Sequence, residues 1–341
     1  MLQLAGGWGY NNLGDEAILA GYLEELAARR VDRVLSVDPA RTRSAQVDSG
    51  IDYVSERRTE SRARTADLTV LAGGGFLNGN WRREIGGKLR RLIAARGNAP
   101  LVVHGVEVRR LAGGRYSELA KRLLRDAIVA VRDDKSATEL ERLGLPRPDV
   151  QPDGISFLYP RLAKYRTELP ELRGKVLLNL LDINSRNDAH EAEVDISRWA
   201  DFCRELIEHL DGRAVGLVIG GGDYRFMKTL PPMELVTPHS VGDLVSTIGS
   251  ADAILSVRMH PALLGTALGI PTVSVPYCGK VRPSLEQIGV SDVLMEDADT
   301  EDVLRRLSKP TDFSNAWQAA YESNSLWMDR SMNNAVRVKT I

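Results

Sequence analysis

Short apolar runs alternate with helix-length amphipathic stretches along almost the whole chain. Apolar runs of that length suit strands buried on both faces, and apolar positions three and four apart suit helices laid over them. In the first half the pattern predicts strands at 2–5, 34–37, 68–72, 101–104 and 128–131. Ile18, Leu19, Tyr22, Leu23 and Leu26 form one apolar helical face. Tyr116, Leu119, Ala120, Leu123 and Leu124 form a second, and Ala137, Leu140 and Leu143 a third that Gly144 and Pro146 close. The rhythm breaks from Asp153, where Pro160, Pro170 and interleaved charges mark 156–173 as a linker. A second series follows, with strands at 176–181, 214–219, 253–257 and 272–275 and helices over 196–210, 241–248 and after Pro261. The stretch 313–338 carries Trp317, Ala320, Tyr321, Leu326 and Trp327 at helical spacing, too aromatic to be left in water.

Strands joined through helices make parallel, doubly wound sheets. The expected architecture is therefore α/β, with one domain over 1–155, a second over 174–310, and a tail over 311–341 packing back across both. Ligands of such sheets lie outside the carboxyl ends of the strands, so two domains facing each other would share a cleft. A chain of 341 residues is long enough for both, at about 150 residues per domain.

Charge narrows the partners. Forty-five Lys and Arg balance 46 Asp and Glu to a net −1, which gives no overall footprint for nucleic acid or an anionic membrane. No apolar stretch approaches the ~20 residues that span a bilayer, and no basic segment precedes a hydrophobic one near the N-terminus. Cys203 and Cys278 lack metal-ligand spacing and fit a reducing compartment. These features predict a cytoplasmic protein without metal, at most peripheral to the inner membrane surface.

Two clusters carry candidate chemistry. The first strand runs into Gly6-Gly7-Trp8-Gly9-Tyr10-Asn11-Asn12-Leu13-Gly14-Asp15-Glu16. Glycines allow close approach to a ligand, the following helix turns its free N–H groups toward it, and Asn12, Asp15 and Glu16 also suit a helix start. In the second cluster, the strand at 253–257 ends in Arg258-Met259-His260, with Pro261 suited to a first helical position. A guanidinium fork, a titratable imidazole and a helix N-terminus together suit an anionic substrate that must be protonated. Lys280, in the loop 276–281, adds a cation. Gly220-Gly221-Gly222-Asp223 reads equally as a phosphate wrap or a flexible turn. Gly73-Gly74-Gly75, with Asn78 or Trp81 near it, reads equally as a substrate turn or tight loop packing. Asp133 is a natural helix cap, Arg132 is open, and His104 suggests no metal site. A nucleophile elbow and a phosphate loop ending Gly-Lys-Ser/Thr are missing, and Gly7-Trp8-Gly9 is followed by Asn12 where a dinucleotide fingerprint needs glycine.

Taken in order, 6–19, 71–76, 131–136 with Asp153, and Arg258-Met259-His260 leading to Gly269-Ile270-Pro271, Tyr277 and Lys280 resemble the polysaccharide pyruvyl transferase family. The resemblance implies two Rossmann-like domains in the GT-B arrangement. It implies transfer of a pyruvyl group from phosphoenolpyruvate, a co-substrate rather than a cofactor, to hydroxyls of a sugar or glycolipid acceptor. Arg258 and Lys280, with Gly221 and Gly222, would hold the donor, and His260 would act as general acid or position the leaving phosphate. Asp15 would take the hydroxyl proton, with Gly9, Asn12, Glu16, Gly74, Gly75 and Asn78 on the acceptor side. The strand at 176–181 lacks the Arg that commonly ends it in relatives, and Arg186 is placed to substitute. A GT-B glycosyltransferase using a nucleotide sugar is the alternative enzyme, and a glycan-binding accessory protein the non-catalytic one.

Overall fold

The computed structural model describes residues 1–46, 50–57, 66–75, 77–79, 84–186, 189–193, 195 and 197–338. Phe76, Trp81 and Ile196 fall outside them. The chain forms two compact units, one of Met1–Tyr10, Asp15–Pro160 and Ala320–Ile341, the other of Asn11–Gly14 and Arg161–Ala319.

Among the described residues of the first unit the strands are β1 (Leu2–Gly6), β2 (Val31–Ser36), β3 (Asp52–Ser55), β4 (Leu68–Ala72), β5 (Leu77–Asn78), β6 (Leu101–Val106), β7 (Val108–Arg109), β8 (Ile128–Val131) and β9 (Asp149–Val150). Seven build one parallel sheet in the order β3-β2-β1-β4-β6-β8-β9, and β5 pairs with β7. Every residue of β1, β4 and β6 is buried, which is why these strands read as unbroken apolar runs. Helices α1 (Leu13–Glu25), α2 (Pro39–Ala45), α3 (Ile85–Arg96), α4 (Ser117–Leu124) and α5 (Asp134–Arg142) connect the strands. Asp133 caps α5, accepting from the Ser136 amide at 2.7 Å.

The second unit repeats the plan. Its sheet runs β12-β11-β10-β13-β14, from β10 (Val176–Asn179), β11 (Ala214–Leu217), β12 (Glu234–Val236), β13 (Ala253–Ser256) and β14 (Thr272–Ser274), again all parallel. Around it lie α6 (Leu162–Tyr165), α7 (Trp199–His209), α8 (Gly221–Met227), α9 (Val241–Ser250), α10 (Met259–Ala267), α11 (Val281–Ile288) and α12 (Thr300–Leu307). In each sheet the chain builds outward on one side of its first strand and then crosses to the other side. Strand order therefore reverses between β1 and β4, and between β10 and β13. Those two reversals are where doubly wound sheets take ligands.

The stretch 156–173, expected as a linker, carries three short helical turns, the first of them packed into the first unit. Gly154–Arg161 forms a 3₁₀ helix with Ser156, Phe157 and Leu158 buried, and the division between the units falls after Pro160. Short 3₁₀ turns accept the proline and charges that break an α-helical pattern. The aromatic tail forms α13 (Ser314–Val338). Trp317, in the second unit, donates to Thr266 Oγ1 at 3.1 Å, whereas Trp327, in the first, donates to Asp149 at 2.7 Å.

Within the first unit His104 of β6 ties α1 and α13 to the sheet. Asn324 Nδ2 donates to Pro152 O and Ser156 Oγ, so its Oδ1 faces His104 Nε2 at 3.0 Å. Nε2 therefore carries the proton, and Nδ1 accepts from the Tyr22 hydroxyl at 2.5 Å. Burial pulls the imidazole down to about 4, against smaller opposing effects of Asn324 and Asp153. An unfolded histidine protonates near 6.5, so the stability this neutral ring supplies is complete above 6.5 and is lost as pH falls toward 4. Thermal unfolding of His104→Gln and wild type across that window tests this. The variant starts destabilised and the gap narrows toward pH 4, whereas a constant gap would contradict a neutral buried imidazole.

Candidate functional site

The reversal in the second sheet is built from two strands that are apolar until their last residues. Asn179 ends β10 and Ser256 ends β13, opposite each other in register. Both are fully buried, so both need partners. Asn179 Oδ1 accepts from the Arg258 amide at 3.1 Å, and its Nδ2 donates to Leu217 O at 2.9 Å and Asp223 Oδ2 at 3.2 Å. The Ser256 hydroxyl donates to the Arg258 carbonyl at 2.7 Å.

Arg258 therefore has both ends of its backbone unit gripped where it caps α10. Its side chain meets Asp223, with Nε 2.9 and 3.0 Å from the two carboxylate oxygens and Nη2 2.7 Å from one of them. Asp223 has no exposed side chain, while that of Arg258 stays 26% exposed. The guanidinium rests on Gly220, where a Cβ would stand 2.8 Å from Nη2. The three-glycine stretch is thus a helix start rather than an open loop: Gly221 and Gly222 begin α8, and Asp223 turns back to accept from the Ile219 amide at 3.1 Å. Gly221 faces open space, and Gly222 packs against Leu181.

His260 is buried in the first turn of α10. The helix begins at Met259, so Pro261 is its third residue, not its first as expected; its missing N–H costs nothing within the first turn. Gly14, in the segment 11–14 that belongs to this unit, lies directly on the imidazole. A Cβ there would stand within 2.7 Å of His260 Cβ and Cγ and closer still to Nδ1. Asn12 accepts from the Gly14 amide at 3.2 Å, closing the turn that presents it. Lys280 is half-buried immediately before α11. The loop it ends is pinned by the Gly279 amide donating to Glu191 at 3.0 Å, and the Arg186 guanidinium lies over the Tyr277 ring at 5.5 Å.

In the first unit the glycine loop after β1 is held from inside. Glu16, expected to face an acceptor, is 2% exposed, and its carboxylate accepts from the Gly9 amide at 2.8 Å and the Gln46 side chain at 3.2 Å. Gly9 thus spends its amide on Glu16 and not on a ligand, because a carboxylate buried under the loop has to take its donors from the protein around it. Asp15 is half-buried beside Gly7 and Gly74, with its Oδ1 3.3 Å from where a Cβ of Gly74 would lie. Gly75 faces Glu107, and Asn78 sits in register with Arg109 on the β5–β7 pair. Arg132 is buried among Glu107, Asp133 and Asp153 at 2.8, 3.7 and 3.6 Å. Burial pulls its pKa down, but those carboxylates outweigh it and hold the guanidinium above its ordinary value. Lys88 is buried 4.4 Å from the Tyr10 ring centre, and burial lowers its ammonium to about 8.

The structure therefore assembles Arg258, Gly220–Gly222, His260 and Gly14 within one unit. Asn179, Ser256 and Asp223 were missed as supports, although a polar residue closing an apolar strand was a readable signal for the first two.

Two Rossmann-like units, each with a strand-order reversal in a parallel sheet, make the fold GT-B-like. The sequence model of the polysaccharide pyruvyl transferase family matches residues 12–279, and the chain belongs to that family and is a transferase. No curated protein matches the chain. Among solved structures it is similar to UDP-GlcNAc 2-epimerase from Methanocaldococcus jannaschii, with a TM-score of 0.58 and 10% identity over 98% of this chain and 99% of that one. It is also similar to S. aureus MnaA solved with UDP, with a TM-score of 0.53 and 11% identity over 96% of each chain. At these identities the likeness is one of fold. Among the described residues no helix is long and apolar enough to cross a membrane.

Burial lifts Glu16 to about 7 in spite of its hydrogen bonds, so the folded protein gives up stability as pH rises from about 4.5 through 7. Glu16→Gln is expected to gain on the order of 3 kcal/mol relative to wild type across that interval, read from denaturant unfolding at several pH values. A pH-independent difference would place the carboxylate in water. Gly14→Ala is expected to displace the imidazole and cut turnover on the order of 100-fold while the far-UV circular dichroism stays unchanged. Wild-type turnover in that variant would show that ring position is immaterial.

Proposed function

We propose that the protein transfers a pyruvyl group from phosphoenolpyruvate to two hydroxyls of a sugar in a nucleotide-linked or lipid-linked glycan precursor, in the cytoplasm. The observation that carries this reading is Arg258-Met259-His260 at the strand-order reversal of the second sheet, with a fixed cation and an imidazole two positions apart. Phosphoenolpyruvate has a carboxylate, a phosphate and an electron-rich methylene carbon, so its activation needs cations for the anions and an acid for the carbon. Arg258 and Lys280 bind the donor. His260 gives its proton to C3, which leaves positive charge at C2 for a sugar hydroxyl to attack. The proton of that hydroxyl passes to water. Phosphate then leaves C2, and a second hydroxyl closes the ketal as its proton passes to the departing phosphate or to water.

A nucleotide-sugar transferase would need the glycine turn for its diphosphate. In this structure the Asp223 carboxylate already holds the Ile219 amide and the Arg258 fork, which favours the smaller donor. Incubation with phosphoenolpyruvate and candidate acceptors should release phosphate only when an acceptor is present, and His260→Ala should lose at least about 100-fold in turnover with its fold intact. Thermal protection by nucleotide sugars and not by phosphoenolpyruvate would overturn the reading.

A further inference from the structure

We propose that Asp223 is a positioning residue that fixes Arg258 so that only the outer edge of its guanidinium receives the donor. A guanidinium offers a side-on edge, made by Nε and Nη2, and an end-on edge, made by Nη1 and Nη2. Both hydrogen bonds of the side-on edge go to Asp223, at 2.7–3.0 Å. Asp223 in turn is locked by the Ile219 amide and by Asn179 Nδ2, so it cannot follow the arginine if the arginine moves. The Arg258 backbone is held by Asn179 and Ser256, so the residue is anchored at its main chain by these two hydrogen bonds and at its guanidinium by Asp223. The 26% of Arg258 still exposed is what a ligand can reach, whereas Asp223 is out of reach altogether.

Two consequences follow. An anion bound end-on approaches in one plane, which orients its carboxylate or phosphate relative to His260 two residues away. The pair is also close to neutral before the donor arrives, so attraction of a multiply charged donor depends on Lys280 and on helix N-termini as much as on Arg258. The assignment of phosphoenolpyruvate as that donor rests on the function proposed above; the edge geometry does not.

The test is a double-mutant cycle of Asp223→Asn, Arg258→Gln and the double variant. Calorimetric titration with phosphoenolpyruvate and, separately, inorganic phosphate is combined with KM and kcat from phosphate release. Asp223→Asn should weaken donor binding about 10-fold or more and raise KM, yet add less than about 2-fold once Arg258 is Gln, because a residue that acts through another has nothing left to position. Asp223→Glu, which keeps the charge, should recover part of the loss, and it serves where the Asn variant does not fold. Multiplicative effects of the two substitutions, or unchanged donor affinity in folded Asp223→Asn, would overturn the inference while leaving the pyruvyl-transfer reading intact. Phosphate binding that depends on Asp223 without any binding of phosphoenolpyruvate would sustain the inference and remove that reading. Binding of neither anion by wild type would remove both.

Discussion

Asn179 is the residue on which the arrangement of the second unit depends. A fully buried amide left without partners costs about 1–3 kcal/mol, so its side chain has to be satisfied where it lies. It does so by binding the ends of β11 and β13 and the first turn of α8: the Leu217 carbonyl, the Arg258 amide and the Asp223 carboxylate. One side chain thereby fixes the strand ends around the reversal in sheet order, and it holds the arginine and its counter-ion in a single network. Because every member is bonded to another member, the network specifies one geometry.

The two units use arginine in opposite ways. Arg132, which follows β8, is 2% exposed and surrounded by three carboxylates, so its charge serves the interior and nothing outside can compete for it. Arg258, which follows β13, has a single carboxylate partner among the described residues and keeps 26% of its side chain exposed. The difference is the number of acids around the fork and the exposure that remains. The first unit also holds two groups displaced in opposite directions by one cause, since burial disfavours the charged form of each: Glu16 is raised and His104 lowered. Their contributions oppose one another between about pH 4.5 and 6.5, which flattens the unit's acid response compared with either group alone.

Much of the fold was legible because fully buried parallel strands leave continuous apolar runs, as in β1, β4, β6, β10 and β13. Three of the edge strands were not, whereas β14, an edge strand buried along its length, was. β3 and β12 are partly exposed, and β9 has two residues, too few for any period to register. The cluster Arg258-Met259-His260 was readable from its place after an apolar strand and before a helix. What surrounds it was not, because Asp223 reaches Arg258 across 35 positions and Asn179 across 79. Glu16 shows the same limit from the other side. A carboxylate in a helix's first turn looks available in sequence, and only the fold shows that it turns under the Gly9 loop instead of outward.

The central claim is that the donor is activated by a proton delivered to C3 from His260. Running the reaction in deuterium oxide and reading the methyl group of the product by NMR tests it most directly. An imidazole that exchanges with solvent would leave one deuterium in the ketal methyl, and His260→Ala would form product at least about 100-fold more slowly. A transferred group whose methyl carbon gains no solvent deuterium, or labelled product formed at the wild-type rate without His260, would contradict the account.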